Sequence, residues 1–305
     1  MRIQMKKIIC STDFSDLSKH AVNYGIALAR EFGVKLYLCH VIDLSSATMY
    51  GEATFAFEAQ NRHMEEYAHA QLKQLVGESD IDWEPLITVG RAADEIARMA
   101  EENDADMVIT ATRGRSGLKR LVLGSVTEQL MRILPCPLLT VKGPGQEPSA
   151  SVEQEVRFKR ILIGCDFSPD SALAYEYGLS LAQEYQSDLH LAHVIPPPVY
   201  KDMPKSHIEA RDKLRHDLRE QLNERLNALI PEEAFNWCSP KTTLLAGNPH
   251  EELAKYALLH GIDLIVLGAR GHGSVERLFV GSTTDRVVRK ALCHVLSVRT
   301  ISHED

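Results

Sequence analysis

The 305-residue sequence has no stretch approaching the roughly 18 consecutive apolar residues that a membrane-spanning helix needs. Its N-terminus, MRIQMKKIICSTDFSD, carries a short apolar run that ends in Asp13 and Asp16 without a small-residue cleavage site, so no secretory signal is expected. Positive charge is in deficit: 34 Lys and Arg against 42 Asp and Glu leave a formal net charge of −8. A general nucleic-acid binder needs a basic surface to displace counterions, so that class is set aside. The six cysteines form no CxxC pair and no metal-ligand spacing. Most lie in apolar strand-like runs, where reduced, buried thiols are expected. These absences describe a cytoplasmic globular protein that engages neither membrane nor nucleic acid. They leave room for a small anionic ligand, because local backbone dipoles act against the global charge.

What the chain does contain is a repeat of itself. KKIICSTDFSDLSKHAVNYGIALAREFGVKLYLCHVID opens the sequence, and FKRILIGCDFSPDSALAYEYGLSLAQEYQSDLHLAHVIP begins again at Phe158. Asp13-Phe14-Ser15 answers Asp166-Phe167-Ser168, and His40-Val41-Ile42 answers His193-Val194-Ile195, both at an offset of 153. Further on the offset is 157: Gly90 matches Gly247, Arg113-Gly114 matches Arg270-Gly271, and Gly124-Ser125 matches Gly281-Ser282. The segment GPGQEPSASVEQEV between the copies reads as a linker. The expected organisation is a first domain at 1–143, a linker at 144–157 and a second domain at 158–305, each large enough for its own core.

Within the first copy, KIICST, KLYLCHVI, EPLITV, DMVITAT and PLLTVK are short apolar, β-branched-rich runs. Segments of roughly helical period lie between them at Ser15–Phe32, Glu58–Leu75, Ala92–Glu102 and Ser125–Leu134. Ser15 and Ser168 suit helix N-caps, and Gly33 suits a helix stop. Strands buried on both faces and alternating with helices predict an α/β fold with a parallel, doubly wound sheet. In such folds ligands sit beyond the carboxyl ends of the strands, where the strand order reverses. An acid follows strand 1 of each copy, and a Gly-rich turn follows strand 4.

That turn, GARGHGSVERLFVGSTTD at residues 268–285, has the chemistry of a nucleotide seat. Gly268 and Gly271 permit close approach and a positive φ, and successive amides there can cradle an anion. Gly281 and Ser282 open a helix whose free N–H groups and hydroxyl suit a phosphate. Asp166 would repel phosphate and is better matched to ribose hydroxyls or a divalent ion. Each signal also has an ordinary reading, since Gly after a strand and Ser at a helix start are common punctuation. Recurrence in both copies is equally what shared ancestry leaves behind.

DFS after strand 1, HVI after strand 2, G-x2-G-x9-G-S after strand 4 and the PCP or LCH step into the last strand resemble the universal stress protein family over nearly the whole chain. The resemblance implies two tandem open five-stranded parallel sheets of order 3-2-1-4-5 with helices on both faces, and ATP bound by some members and not others. Carried over, it implies a ribose contact at Asp166, a backbone adenine contact at Val194, and a phosphate loop at Gly268, Arg270, Gly271, Gly281, Ser282 and Thr283. The first domain retains Asp13, Val41, Gly114, Gly124 and Ser125, but Ala111 replaces the first glycine. An alanine there is harmless at negative φ and strained by about 1 kcal/mol at positive φ.

The remaining polar residues carry weaker signals. Arg113, Lys119, Arg120, Arg270, His272 and Arg277 either screen phosphate or solvate a loop. His40 and His193 read as hydrogen-bonded structural histidines, and no metal cluster joins them. The stretches at 57–75 and 205–226 read as solvated amphipathic helices. LLTVK and VLSVR are apolar enough to pair at a sheet edge, and the family resemblance implies pairing of the two domains or a homodimer there. The leading function is an ATP-binding regulatory switch, with Mg²⁺ or another divalent ion as companion and hydrolysis slow at most. A nucleotide-free interaction protein of the stress response is the alternative. An adenylylating enzyme is less favoured, because STDFSD and GCDFSPD lack the glycine loop such enzymes place after strand 1.

Overall fold

The computed structural model describes residues 3–43, 54–112, 123–143, 156–197, 208–271 and 280–300, with no side-chain description for 54–61 and 208–215. The chain divides into two compact units, one built on Gln4–Val156 and the other on Arg157–Thr300.

In the first unit β1 (Lys7–Ser11), β2 (Lys35–Ile42), β3 (Trp83–Val89), β4 (Met107–Ala111) and β5 (Leu138–Val141) alternate with α1 (Asp16–Phe32), α2 (Thr54–Val76), α3 (Ala92–Glu102) and α4 (Ser125–Ile133). The strands pair in parallel in the order β3-β2-β1-β4-β5, with Ile8 opposite Leu36 on one side and Met107 on the other. Ile8, Ile9 and Cys10 are fully buried, as a central strand covered on both faces requires. The left-handed Gly33 (φ 61°) ends α1 as the sequence predicts.

The second unit repeats this plan with β6 (Arg160–Gly164), β7 (Asp188–Ile195), β8 (Lys241–Ala246), β9 (Leu264–Gly268) and β10 (His294–Val298). Its helices are α5 (Pro169–Tyr185), α6 (Ile208–Asn227), α7 (Pro249–His260) and α8 (Ser282–Lys290). The order is β8-β7-β6-β9-β10, all parallel, which is 3-2-1-4-5 again. From β6 the chain moves to β7 on one side and later returns to β9 on the other. The strand order therefore reverses between β6 and β9, and a crevice opens there beyond their carboxyl ends.

The stretch at 57–75 lies within α2, and the described part of the one at 205–226 lies within α6. In α2 the described side chains bury one stripe, Ala68, Leu72 and Val76, and α6 buries Leu226. Among the described residues no helix is long and apolar enough to cross a membrane. All six cysteines are free thiols; Cys10, Cys39, Cys136 and Cys165 are buried. Burial pushes the Cys39 thiol up to about 12, and the Cys10 thiol is raised further, so neither is a nucleophile near neutral pH.

Candidate functional site

The crevice of the second unit encloses about 890 Å³ and is lined by Asp166, His193, Val194, Gly268, Arg270, Gly271, Gly281, Ser282 and Thr283, among others. Every second-domain residue that the family resemblance assigns to the ligand therefore lines one cavity. Asp166 lies two residues past β6, in a turn shaped by Phe167, whose φ of 63° is unusual for a residue with a side chain. The turn is held from several directions. The Ser168 amide donates to Asp166 Oδ1 at 2.9 Å, and the Ser168 hydroxyl caps α5 by accepting from the Ser171 amide at 3.2 Å. The Phe167 ring lies 5.0 Å from that of His193, with Arg225 of α6 4.0 Å from its centroid. His193 Nδ1 pairs with the Cys165 carbonyl at 2.7 Å, which makes it the structural histidine expected of it.

Of the two properties for which glycine was expected, close approach and a positive φ, the backbone here does not use the second. Gly268 and Gly271 are absent from the positive-φ residues, and Gly281 has an ordinary φ of −58°. What demands glycine is contact. A Cβ on Gly268 would sit 2.8 Å from the backbone of Asp170 and Ser171, and one on Gly271 would sit 2.6 Å from Asp166 Oδ2. The positive φ that glycine permits is not used at these two positions: the turn is drawn tightly against the start of α5. The Gly281 amide donates to the Ala269 carbonyl at 2.7 Å, while the Thr284 hydroxyl donates to the Gly268 carbonyl at 2.6 Å. Gly281 offers no side chain to cap α8, so the N-cap position supplies no capping oxygen to the first-turn amides of that helix. With Ser282 and Thr283 they form a cluster of neutral donors at the positive end of a helix dipole.

Arg270 also lines the cavity, but its guanidinium is bonded within the protein. Nε lies 3.1 Å from Asp170 Oδ2, and Nη2 donates to the Thr300 carbonyl at 2.9 Å. Burial alone would raise the Asp170 carboxyl. Hydrogen bonds from the Thr300 hydroxyl and amide and from Arg270 prevail and hold it below the usual carboxylate range. The sequence reading missed Asp170, because its counterpart in the first copy is Leu17.

The first unit has the same skeleton with its space filled. Its cavity, about 190 Å³, is lined by Asp13, Val41, Ala111, Gly124 and Ser125. Gly114 lies outside the described residues, as do Arg113, Lys119, Arg120, His272 and Arg277. Asp13 Oδ1 accepts from both the amide and the hydroxyl of Ser15, at 3.1 and 2.6 Å. Where the second unit has Gly164 and Ala192 the first has Ser11 and Cys39, and Ser11 donates to the Thr110 hydroxyl at 2.9 Å across the floor. Ala111 does not have a positive φ, so its alanine carries no left-handed strain. His40 Nδ1 pairs with the Thr12 carbonyl at 2.8 Å, matching His193.

Among the described residues no three His, Cys, Asp or Glu side chains gather to hold a metal ion.

Fold and crevice define a chain of two doubly wound α/β domains whose second copy has a roomy cavity at its switch point. A model of the universal stress protein family matches residues 5–142 and again 157–299, and the chain belongs to that family. The universal stress protein MJ0531 of Methanocaldococcus jannaschii is 33% identical over 144 residues, spanning 47% of this chain and 85% of that relative. YxiE of Bacillus subtilis is 30% identical over 145 residues, 45% of this chain and 98% of its own length. Such relatives thus correspond to about half of this chain. A solved universal stress protein from Archaeoglobus fulgidus has this fold along its whole length, covering 97% of this chain and 99% of its own at a TM-score of 0.68 and 22% identity.

Proposed function

We propose that the second domain binds an adenine nucleotide, with ATP as the ligand, and that occupancy acts as a regulatory switch. The observation that carries this reading is the convergence of Asp166, the Gly268–Gly271 turn and the uncapped start of α8 on one cavity of about 890 Å³. That volume falls within the range usual for cofactor sites. Asp166 is the acceptor suited to ribose hydroxyls, and the backbone at Val194 is suited to the adenine edge. The amides of the turn and of α8, with the Ser282 and Thr283 hydroxyls, suit the phosphates. Mg²⁺ would accompany the phosphates and offset their charge.

The same features favour a switch over a hydrolase. Asp166 is the one carboxylate among the described lining residues, and its Oδ1 accepts from the Ser168 amide. The first domain, with its small cavity, is read as a partner module that takes no nucleotide. Homodimerisation through an apolar sheet edge belongs to the same reading and is checked by light scattering.

Gly271→Val tests the site directly, because its side chain would enter the space beside Asp166 Oδ2. The variant is expected to keep its circular dichroism and cooperative melting while ATP uptake is lost. A folded variant with unchanged ATP affinity would remove the phosphate-turn argument.

A further inference from the structure

We propose that Asp170 is a positioning residue of the second domain: it clamps the Gly268–Gly271 turn in place and so sets the distance between the ribose and phosphate seats. The inference rests on the nucleotide reading above.

Asp170 lies in the first turn of α5 and is 4% exposed. Its Oδ2 accepts from the Arg270 amide at 3.0 Å and from Arg270 Nε at 3.1 Å. Its Oδ1 accepts from the Thr300 amide at 2.9 Å and from the Thr300 hydroxyl at 2.7 Å. One carboxylate thus joins three segments: the start of α5, the turn after β9 and the residue chain just past β10. Gly268 closes the same joint from the backbone side, because a Cβ there would meet the Asp170 and Ser171 main chain. At the far end of the turn Gly271 abuts Asp166, which leads into the same helix. The turn is therefore fixed at both ends relative to the ribose acid. Arg270 is held in this clamp, leaving backbone amides and hydroxyls as the described phosphate donors.

The fold itself does not require the clamp. In the first domain Leu17 stands at the position of Asp170 and Gly143 at that of Thr300. A Cβ on Gly143 would approach Leu17 Cδ1 to 2.9 Å, so an apolar contact occupies the joint there. That domain builds the same sheet and helices, yet its crevice is about 190 Å³ against about 890 Å³. A buried carboxylate is costly to keep unless its donors are arranged for it. Its presence only beside the larger cavity ties it to the site and not to the architecture.

The test compares ATP and adenosine binding to the full chain, in wild type, Asp170→Asn and the double variant Asp170→Leu/Thr300→Gly, which copies the first domain's residues. Amide hydrogen exchange at Arg270 and Thr300 is followed in the same proteins. Both variants are expected to lose about tenfold in ATP affinity, with adenosine within about twofold of wild type and faster exchange at both amides. Parallel loss of ATP and adenosine would mark Asp170 as structural only and overturn the proposal. Unchanged ATP affinity in either folded variant would overturn it too. Wild-type protein that binds neither ligand would sink the nucleotide reading itself and this role with it, and faster exchange would then describe a joint of the fold alone.

Discussion

Asp166 and Gly271 lie close together in the crevice, with no room for even a methyl group between them. This proximity puts a charged acceptor beside a turn of amide donors, an arrangement suited to a ligand with hydroxyls at one end and anionic oxygens at the other. Asp166→Ala is expected to weaken ATP by about tenfold to a hundredfold, the range of a charged hydrogen bond, and to leave inorganic tripolyphosphate nearly unchanged. Competition binding measures both, and equal loss of the two ligands would refute the ribose role. Asp166 was legible in the sequence because Asp13 repeats it. Asp170 was not, since comparison of the copies finds only what they share, and Leu17 hides it. Nor does any residue preference announce the left-handed Phe14 and Phe167, at φ 64° and 63°. Their conformation is imposed by the turn and by ring contacts, Phe14 stacking 4.3 Å from His40 as Phe167 meets His193.

Among the elements, the helices that border each crevice start in two different ways. Ser15 and Ser168 cap α1 and α5 with their side chains, whereas α4 and α8 begin at Gly124 and Gly281 without a side-chain cap. The first pair satisfies a first-turn amide with the cap's own side chain, and the second pair does not. Ser168→Ala should therefore destabilise the second domain by about 1 kcal/mol, measured by urea denaturation. No change in the midpoint would mean that Pro169 and Asp170 suffice to start α5. The alternation of strands and helices could be read in advance because buried parallel strands are apolar throughout, and the helix limits differ from the sequence reading by a few residues. Ser15 caps α1 as the sequence predicts. The reason the turn glycines are glycines was beyond sequence reasoning, since it depends on the packing of β9 against α5, far away along the chain.

At the scale of the whole molecule, duplication has produced two copies of one fold with unequal interiors. The second copy also carries a buried histidine with an unusual charge state. His190, 2% exposed, pairs through Nδ1 with the Tyr256 hydroxyl at 2.8 Å, and its Nε2 finds no hydrogen-bond partner among the described residues. Burial above all, with Lys241, His260 and Arg160 nearby, lowers its pKa to about 4, against the small opposing effect of Asp188. An unfolded histidine titrates near 6.5. Between these values the unfolded chain binds a proton that the folded chain excludes, so stability falls as pH drops from about 6.5 to about 4, by at most about 1.4 kcal/mol per pH unit. Denaturation curves across that range for wild type and His190→Leu should differ in slope with this sign, and parallel curves would contradict it.

The inequality of the two crevices is tested most simply by calorimetric titration of the intact chain with ATP and Mg²⁺, reading stoichiometry. One ATP per chain is expected, because the cavity of about 890 Å³ belongs to the second domain alone. Two ATP per chain would show that the Ser11–Thr110 floor and Ala111 do not close the first crevice, and no uptake at all would contradict the nucleotide reading.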